Sequence, residues 1–150
     1  MKKFVWKLQQ LLTIKEKQEN ALRSEIVALT EQSMVLRGRM MALQMSLRAH
    51  QRQIQSLPED QRIAAQALYW RHAPVVDSAL RQLAEQRRAL EQRRRQKLDD
   101  YLQVQKFRKG LERLREKARR QYEYEVNLEE QKQLDDYTHT NWNRPTAASV

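Results

Sequence analysis

The stretch LRSEIVALTEQSMVLRGRMMALQMSL, residues 22–47, decides the fold of this chain. Leu22, Ile26, Leu29, Ser33, Leu36, Met40, Leu43 and Leu47 alternate steps of four and three residues, which keeps them on one face of a helix. Extended outward, the rhythm has one set at Val5, Leu12, Glu19, Ile26, Ser33, Met40, Leu47 and Ile54. A second set falls at Leu8, Lys15, Leu22, Leu29, Leu36, Leu43, His50 and Leu57. Twelve of these sixteen positions are apolar and the phase never slips, as in the seam of a left-handed coiled coil. A first helix is therefore predicted over about 4–57, roughly 80 Å long at 1.5 Å per residue.

Composition agrees. In 150 residues there are only two Gly and three Pro, and 32% of the chain is charged, which suits long helices burying a seam and excludes a compact mixed fold. There is no Cys, so disulfides and thiolate metal sites are excluded. The opening MKKFVWKLQQLL is basic like a signal peptide, but Lys7, Gln9 and Gln10 interrupt any apolar segment, and it reads as mature protein. Uncharged runs such as MMALQMSL, residues 40–47, are far shorter than the ~20 apolar residues of a membrane span.

A break is predicted at SLPEDQR, residues 56–62, where Ser56 can cap, Pro58 suits a first helical turn, and Glu59 and Asp60 favour the positive end of a helix. Pro74 in HAPVVDS predicts a second break, leaving an elbow at 58–74 with its own short helix. A long helix then follows over about 75–138. Its seam reads as irregular: Val76, Leu80, Leu83, Leu90, Leu98, Tyr101, Val104, Phe107, Leu111, Leu114, Ala118, Tyr122, Leu128 and Leu134, with Arg87 and Arg94 in phase. These shifts suggest a change of pitch or an exposed stretch. The tail, residues 139–150, gains Thr, Asn, Pro and Ser, and is expected to be disordered.

Two long amphipathic helices joined by a short elbow bury their seams by folding back on each other. The expected fold is all-α, a long antiparallel two-helix coiled-coil hairpin over 1–138 with a short elbow helix. Centred near residue 66, it would set Glu19 near Arg113 and Lys15 near Lys117, with the acidic LEEQKQLDDY, residues 128–137, projecting past the amino terminus.

Charge is uneven: residues 81–120 carry fifteen Lys or Arg against six acids, within a chain of net charge +10. A solvated helix face and a protein-docking face both account for this block. Nucleic acid is a rival, since phosphate binding needs little beyond cations. A basic zipper, however, sets its basic region before its leucine heptads, whereas here Leu98, Val104, Phe107, Leu111 and Leu114 run through the block and one face is taken by packing. Membrane-surface binding is disfavoured by the narrow apolar face.

Catalysis finds no support. His50, His72 and His139 lack metal-ligand spacing, and Gly38 and Gly110 stand alone, so no phosphate-cradling loop, cofactor or small-molecule ligand is expected. Adjacent acids such as Asp99 and Asp100 diverge by about 100° on a helix, which does not suit concerted acid/base work. Tyr69 and Trp70 are large apolar surfaces in the elbow. They either pack on Ile63 and Val76 or anchor a partner.

Two segments, FVWKLQQLLTIKEKQENAL at 4–22 and FRKGLERLREKARRQYEYEVNLEEQKQLDDY at 107–137, together with the chain length, resemble the flagellar export protein FliJ family. The matching positions are Phe4, Leu8, Leu11, Leu12, Glu19, Leu111, Leu114, Tyr122, Glu125, Glu130, Gln131, Lys132, Leu134 and Asp135. The resemblance implies a non-enzymatic stalk and adaptor of type III protein export, shaped like the γ stalk of rotary ATPases. It would be cytoplasmic and peripheral to the inner-membrane export apparatus. The implied partners are a hexameric export ATPase, a membrane export gate component and export chaperones. Candidate ATPase contacts are Phe4, Leu8, Leu11, Leu12, Arg108, Lys109, Arg113, Arg115, Arg119 and Arg120; candidate gate contacts are Tyr69, Trp70, Val75 and Val76. An injectisome stalk and a basic coiled coil that binds nucleic acid remain the alternatives.

Overall fold

A computed structural model of the protein describes residues 3–142, with side chains over 3–138. Two helices account for nearly all of it: α1 spans Gln9–Ser56 and α2 spans Glu59–Trp142. They pack against each other as a helical hairpin, and no strand occurs among the described residues.

Both ends of α1 differ from expectation for local reasons. The helix begins at Gln9, not near residue 4, with the Trp6 carbonyl accepting from the Gln9 amide at 3.1 Å and the Leu8 carbonyl from the Leu12 amide at 3.0 Å. Its first turn has no acid, and Lys3 and Lys7 stand at what would be the positive end of a longer helix. At the other end, Ser56 does not cap α2. Its hydroxyl donates back to the Gln53 carbonyl at 2.7 Å. The chain reverses through Leu57 and Pro58 alone: the Leu57 carbonyl accepts from the Arg62 guanidinium at 3.0 Å, and the Pro58 carbonyl from the amides of Gln61 and Arg62. The first contact satisfies a carbonyl just past the end of α1 that would otherwise be unpaired, and the others are the opening bonds of α2. Glu59 and Asp60 then occupy the first turn of α2 as anticipated.

The separate elbow helix is absent. Helix α2 runs through 59–74 without interruption and carries Pro74 inside it. An interior proline costs about 3 kcal/mol through a lost amide donor and a clash with the carbonyl four residues back. Val76, two residues on, is only 7% exposed, so a break here would withdraw one of the best-buried side chains from the seam. Of the segment expected to be disordered, 139–142 is helical, and 143–150 lies outside the described residues.

The chain comprises two compact units. In the unit 18–104, α1 uses the predicted seam, and α2 answers with Tyr69, Ala73, Val76, Leu80, Leu83, Leu90, Arg94, Lys97, Tyr101 and Val104, all buried or half-buried. These positions keep unbroken steps of four and three when the exposed Arg87 is counted in phase. The predicted irregularity is thus an error of identity: Leu98, read as seam, is 45% exposed, while Lys97 takes the seam position. A long cation can do so because its aliphatic stem covers apolar surface while its head escapes. The head of Lys97 reaches Glu25 at 2.7 Å, and this hydrogen bond and charge hold its ammonium pKa above the ordinary lysine value. The hydrogen bond from Arg94 at 2.7 Å likewise lowers the Glu91 carboxyl, against some opposition from desolvation.

The register also differs. Glu25 faces Lys97 and the ring of His50 lies 6.5 Å from that of His72, so facing residue numbers add to about 122, not 132. A two-residue turn moves the centre of the hairpin towards the amino terminus relative to one with an elbow over 58–74.

The second unit joins the start of the chain, through Lys17, to α2 from Gln105 onward. Its core is small: Leu12 is 0% and Leu111 5% exposed. Phe4 packs a tilted ring on Tyr122 at 5.5 Å, and the Lys15 ammonium sits 5.2 Å from the centre of the Phe107 ring, so Lys15 faces Phe107 and not Lys117. The seam positions of α2 here are Arg108, Leu111, Ala118 and Tyr122, whereas Phe107 and Leu114, assigned to the seam by sequence, are about half exposed. Residues 127–138 are exposed throughout, Leu128 and Leu134 included.

Gly110 lies inside α2 with no positive φ, and a Cβ built on it meets nothing within 4 Å. Gly110→Ala is expected to stabilise the protein by about 0.5–1 kcal/mol, read from the midpoint of urea unfolding. An unchanged or lowered midpoint would mean that this position needs the missing side chain.

Candidate functional site

Two surfaces carry the candidate contacts, one in each unit. In the terminal unit, residues 106–120 of α2 hold cations on nearly every turn, because Lys and Arg are good helix formers and the stretch is free of β-branched side chains. Some of these cations are held within the helix. Arg108 pairs with Glu112, Arg119 with Glu123 at 2.9 Å and Arg120 with Glu116 at 3.1 Å. The last two are exposed pairs of the kind that contributes only about 0.3–0.5 kcal/mol each.

Lys109, Arg113, Arg115 and Lys117 are exposed and make no ion pair among the described residues. Lys109, Arg113, Lys117 and Arg120 line a shallow groove on one face of α2 together with Glu112 and Glu116. Three uncompensated cations at steps of four residues form a ladder for an acidic surface. Lys117 belongs to this ladder, whereas the sequence reading set it opposite Lys15 and left it out of the candidate contacts. Arg115 is placed apart from the ladder, in phase with the seam.

The apolar candidates of this unit divide. Leu8 is 40% exposed and Phe4 and Leu11 are half-buried, so each offers some surface. Leu12 offers none. It is the core of the unit, and its place among partner contacts is withdrawn.

In the unit 18–104, Trp70 is 66% exposed and meets the half-buried Tyr69 edge-on at 5.9 Å between ring centres. Ile63 is 77% exposed, so packing of Trp70 into a local cluster with Ile63 is not what the fold provides. Val75 is 64% exposed, but Val76 is buried in the seam and is likewise withdrawn as a contact. An exposed tryptophan stiffened by a neighbouring ring is a suitable anchor for a partner, having little rotamer freedom to lose on binding.

No group of three or more His, Asp or Glu able to hold a metal ion occurs among the described residues, and none of their helices is long and apolar enough to cross a membrane. The ring contact of His50 and His72 is a two-residue pairing. His139 has its side chain outside the described set.

Comparison with known families finds a match to the model described as flagellar FliJ protein, over residues 3–147. Searches of curated proteins and of solved structures find no match.

Proposed function

Because the chain belongs to the flagellar FliJ family, a non-catalytic component of flagellar protein export, we propose that it is the stalk and adaptor of the export machinery. In this reading the terminal unit engages a hexameric export ATPase, and the aromatic surface at Tyr69 and Trp70 engages a membrane export gate component. Handling of export chaperones and a peripheral place at the inner membrane belong to the same reading. The observation that supports it is the ladder of Lys109, Arg113 and Lys117, exposed and without an ion pair among the described residues, beside Glu112 and Glu116 that Arg108 and Arg120 already engage.

A shaft that meets several subunits of a ring needs contacts that are numerous and weak. Exposed cations on flexible stems supply about 0.2–1 kcal/mol apiece, so no single subunit holds them fast. The same ladder could meet phosphates, but three of the surrounding cations, Arg108, Arg119 and Arg120, are already paired with Glu112, Glu123 and Glu116, which disfavours a polyanion.

The direct test is the turnover of the purified ATPase with and without this chain; unchanged turnover and no binding would end the stalk reading. The two surfaces also separate by mutation. Tyr69→Ala with Trp70→Ala is expected to leave ATPase stimulation intact while weakening capture of the gate component at least tenfold, a loss of about 1.4 kcal/mol. Equal loss of both activities would show that the aromatic pair is not a separate gate contact.

A further inference from the structure

Helix α1 has a second apolar row, on the side away from its seam. Val27, Glu31, Met34, Gly38, Met41 and Met45 alternate steps of four and three residues, and every one is exposed. A helix face turned to water ordinarily carries charge. This one carries a single acid in six positions.

We propose that this row is a second coiled-coil seam, which pairs antiparallel with the same row of a second copy of the chain. The area is sufficient. Val27, Met34, Met41 and Met45 are 51, 68, 52 and 65% exposed. The row as a whole presents roughly 500 Å² per copy, so pairing covers roughly 1,000 Å², the lower bound of a specific interface.

The order of residues selects both the occupant and its direction. In an antiparallel pair with facing numbers adding to 79, Met34 meets Met45 of the second copy and Gly38 meets Met41. Gly38, exposed and without a side chain, leaves room for that knob, and nothing of its own chain lies within 4 Å of where a Cβ would stand. Methionine, flexible and polarisable, fills such a space without strain. At each end Glu31 meets Arg48 of the second copy. Both are exposed, and neither makes an ion pair within its own chain among the described residues. A parallel pair would set Glu31 against Glu31 and Gly38 against Gly38, joining like charges at one layer and leaving a void at another.

The test uses the whole chain, which has no native cysteine. With Met34→Cys and Met45→Cys in one chain, mild oxidation is expected to give a covalent dimer. The two thiols of a single chain stand eleven residues apart on one helix, about 16 Å, and cannot reach each other. Sedimentation equilibrium should show a concentration-dependent dimer for the wild type and a helical monomer for Met34→Asp. Glu31→Arg should weaken association severalfold, and Glu31→Arg with Arg48→Glu should restore it. A wild type that stays monomeric at hundred-micromolar concentration overturns the proposal, as does crosslinking by Met34→Cys alone, which reports a parallel pair. If the wild type is monomeric and Met34→Asp loses binding to an export component, the face belongs to that component and the pairing is wrong.

Discussion

Replacing Lys109, Arg113 and Lys117 together by Glu is expected to abolish stimulation of the export ATPase while the chain stays helical. The three side chains are exposed and bind no carboxylate among the described residues, so no native contact is lost. The new acids adjoin Glu112 and Glu116, and each like-charged neighbour costs only a few tenths of a kcal/mol on a helix surface. Against an acidic partner, each replaced cation forfeits about 0.2–1 kcal/mol and then adds repulsion, so three together weaken binding by well over tenfold. Stimulation by the wild type should also fall steeply with salt, since exposed charge pairs are screened. Arg88→Glu, Arg93→Glu and Arg95→Glu in one chain make the same change of net charge within the other unit. That variant should stimulate normally; if it fails equally, net charge and not the ladder is what the ring senses.

Leu12→Asp is expected to unfold the terminal unit. Leu12 is the only fully buried large side chain among the described residues, and with Leu111 it forms the core of its unit. Truncation alone, Leu12→Ala, should cost about 2–5 kcal/mol. A carboxylate in the same place must also be desolvated without a partner. Leu29→Ala and Leu36→Ala, at half-buried seam positions, should each cost less than Leu12→Ala. Chemical denaturation followed by circular dichroism ranks the four. Should Leu12→Ala prove as mild as Leu29→Ala, the stability of the unit resides elsewhere.

Much of this was readable from residue types alone, and the exceptions share a cause. The α1 seam was legible because its sixteen positions hold twelve apolar residues. The α2 seam was misread because Lys97 and Arg108 occupy it while Leu98, Phe107 and Leu114 face outward, and counting apolar residues follows the wrong row. Only the unbroken alternation of steps reveals the true one. Pro74 was read as a break, yet burial of Val76 favours an uninterrupted helix. From these two misreadings came an elbow that does not exist and a register ten residues too high. Of the candidate contacts, Leu12 and Val76 failed for the opposite reason. An apolar residue that matches a family pattern can belong to its core and not to its surface.

The two-residue reversal at Leu57 and Pro58 also fixes an order of events during synthesis. Contacts beside the turn close the shortest loops, so pairing that starts there can spread outward one layer at a time. Phe4 emerges among the first residues, but its partner Tyr122 is made near the end. At ribosomal speeds of about 5–20 residues per second, the amino-terminal segment waits roughly 6–24 seconds for the side chain that covers it. During that interval the amino-terminal part of the α1 seam, and its outer apolar row, are uncovered in the nascent chain. The protein therefore has a built-in window in which holdase chaperones, or a neighbouring nascent copy on the same messenger, can reach α1 before α2 does.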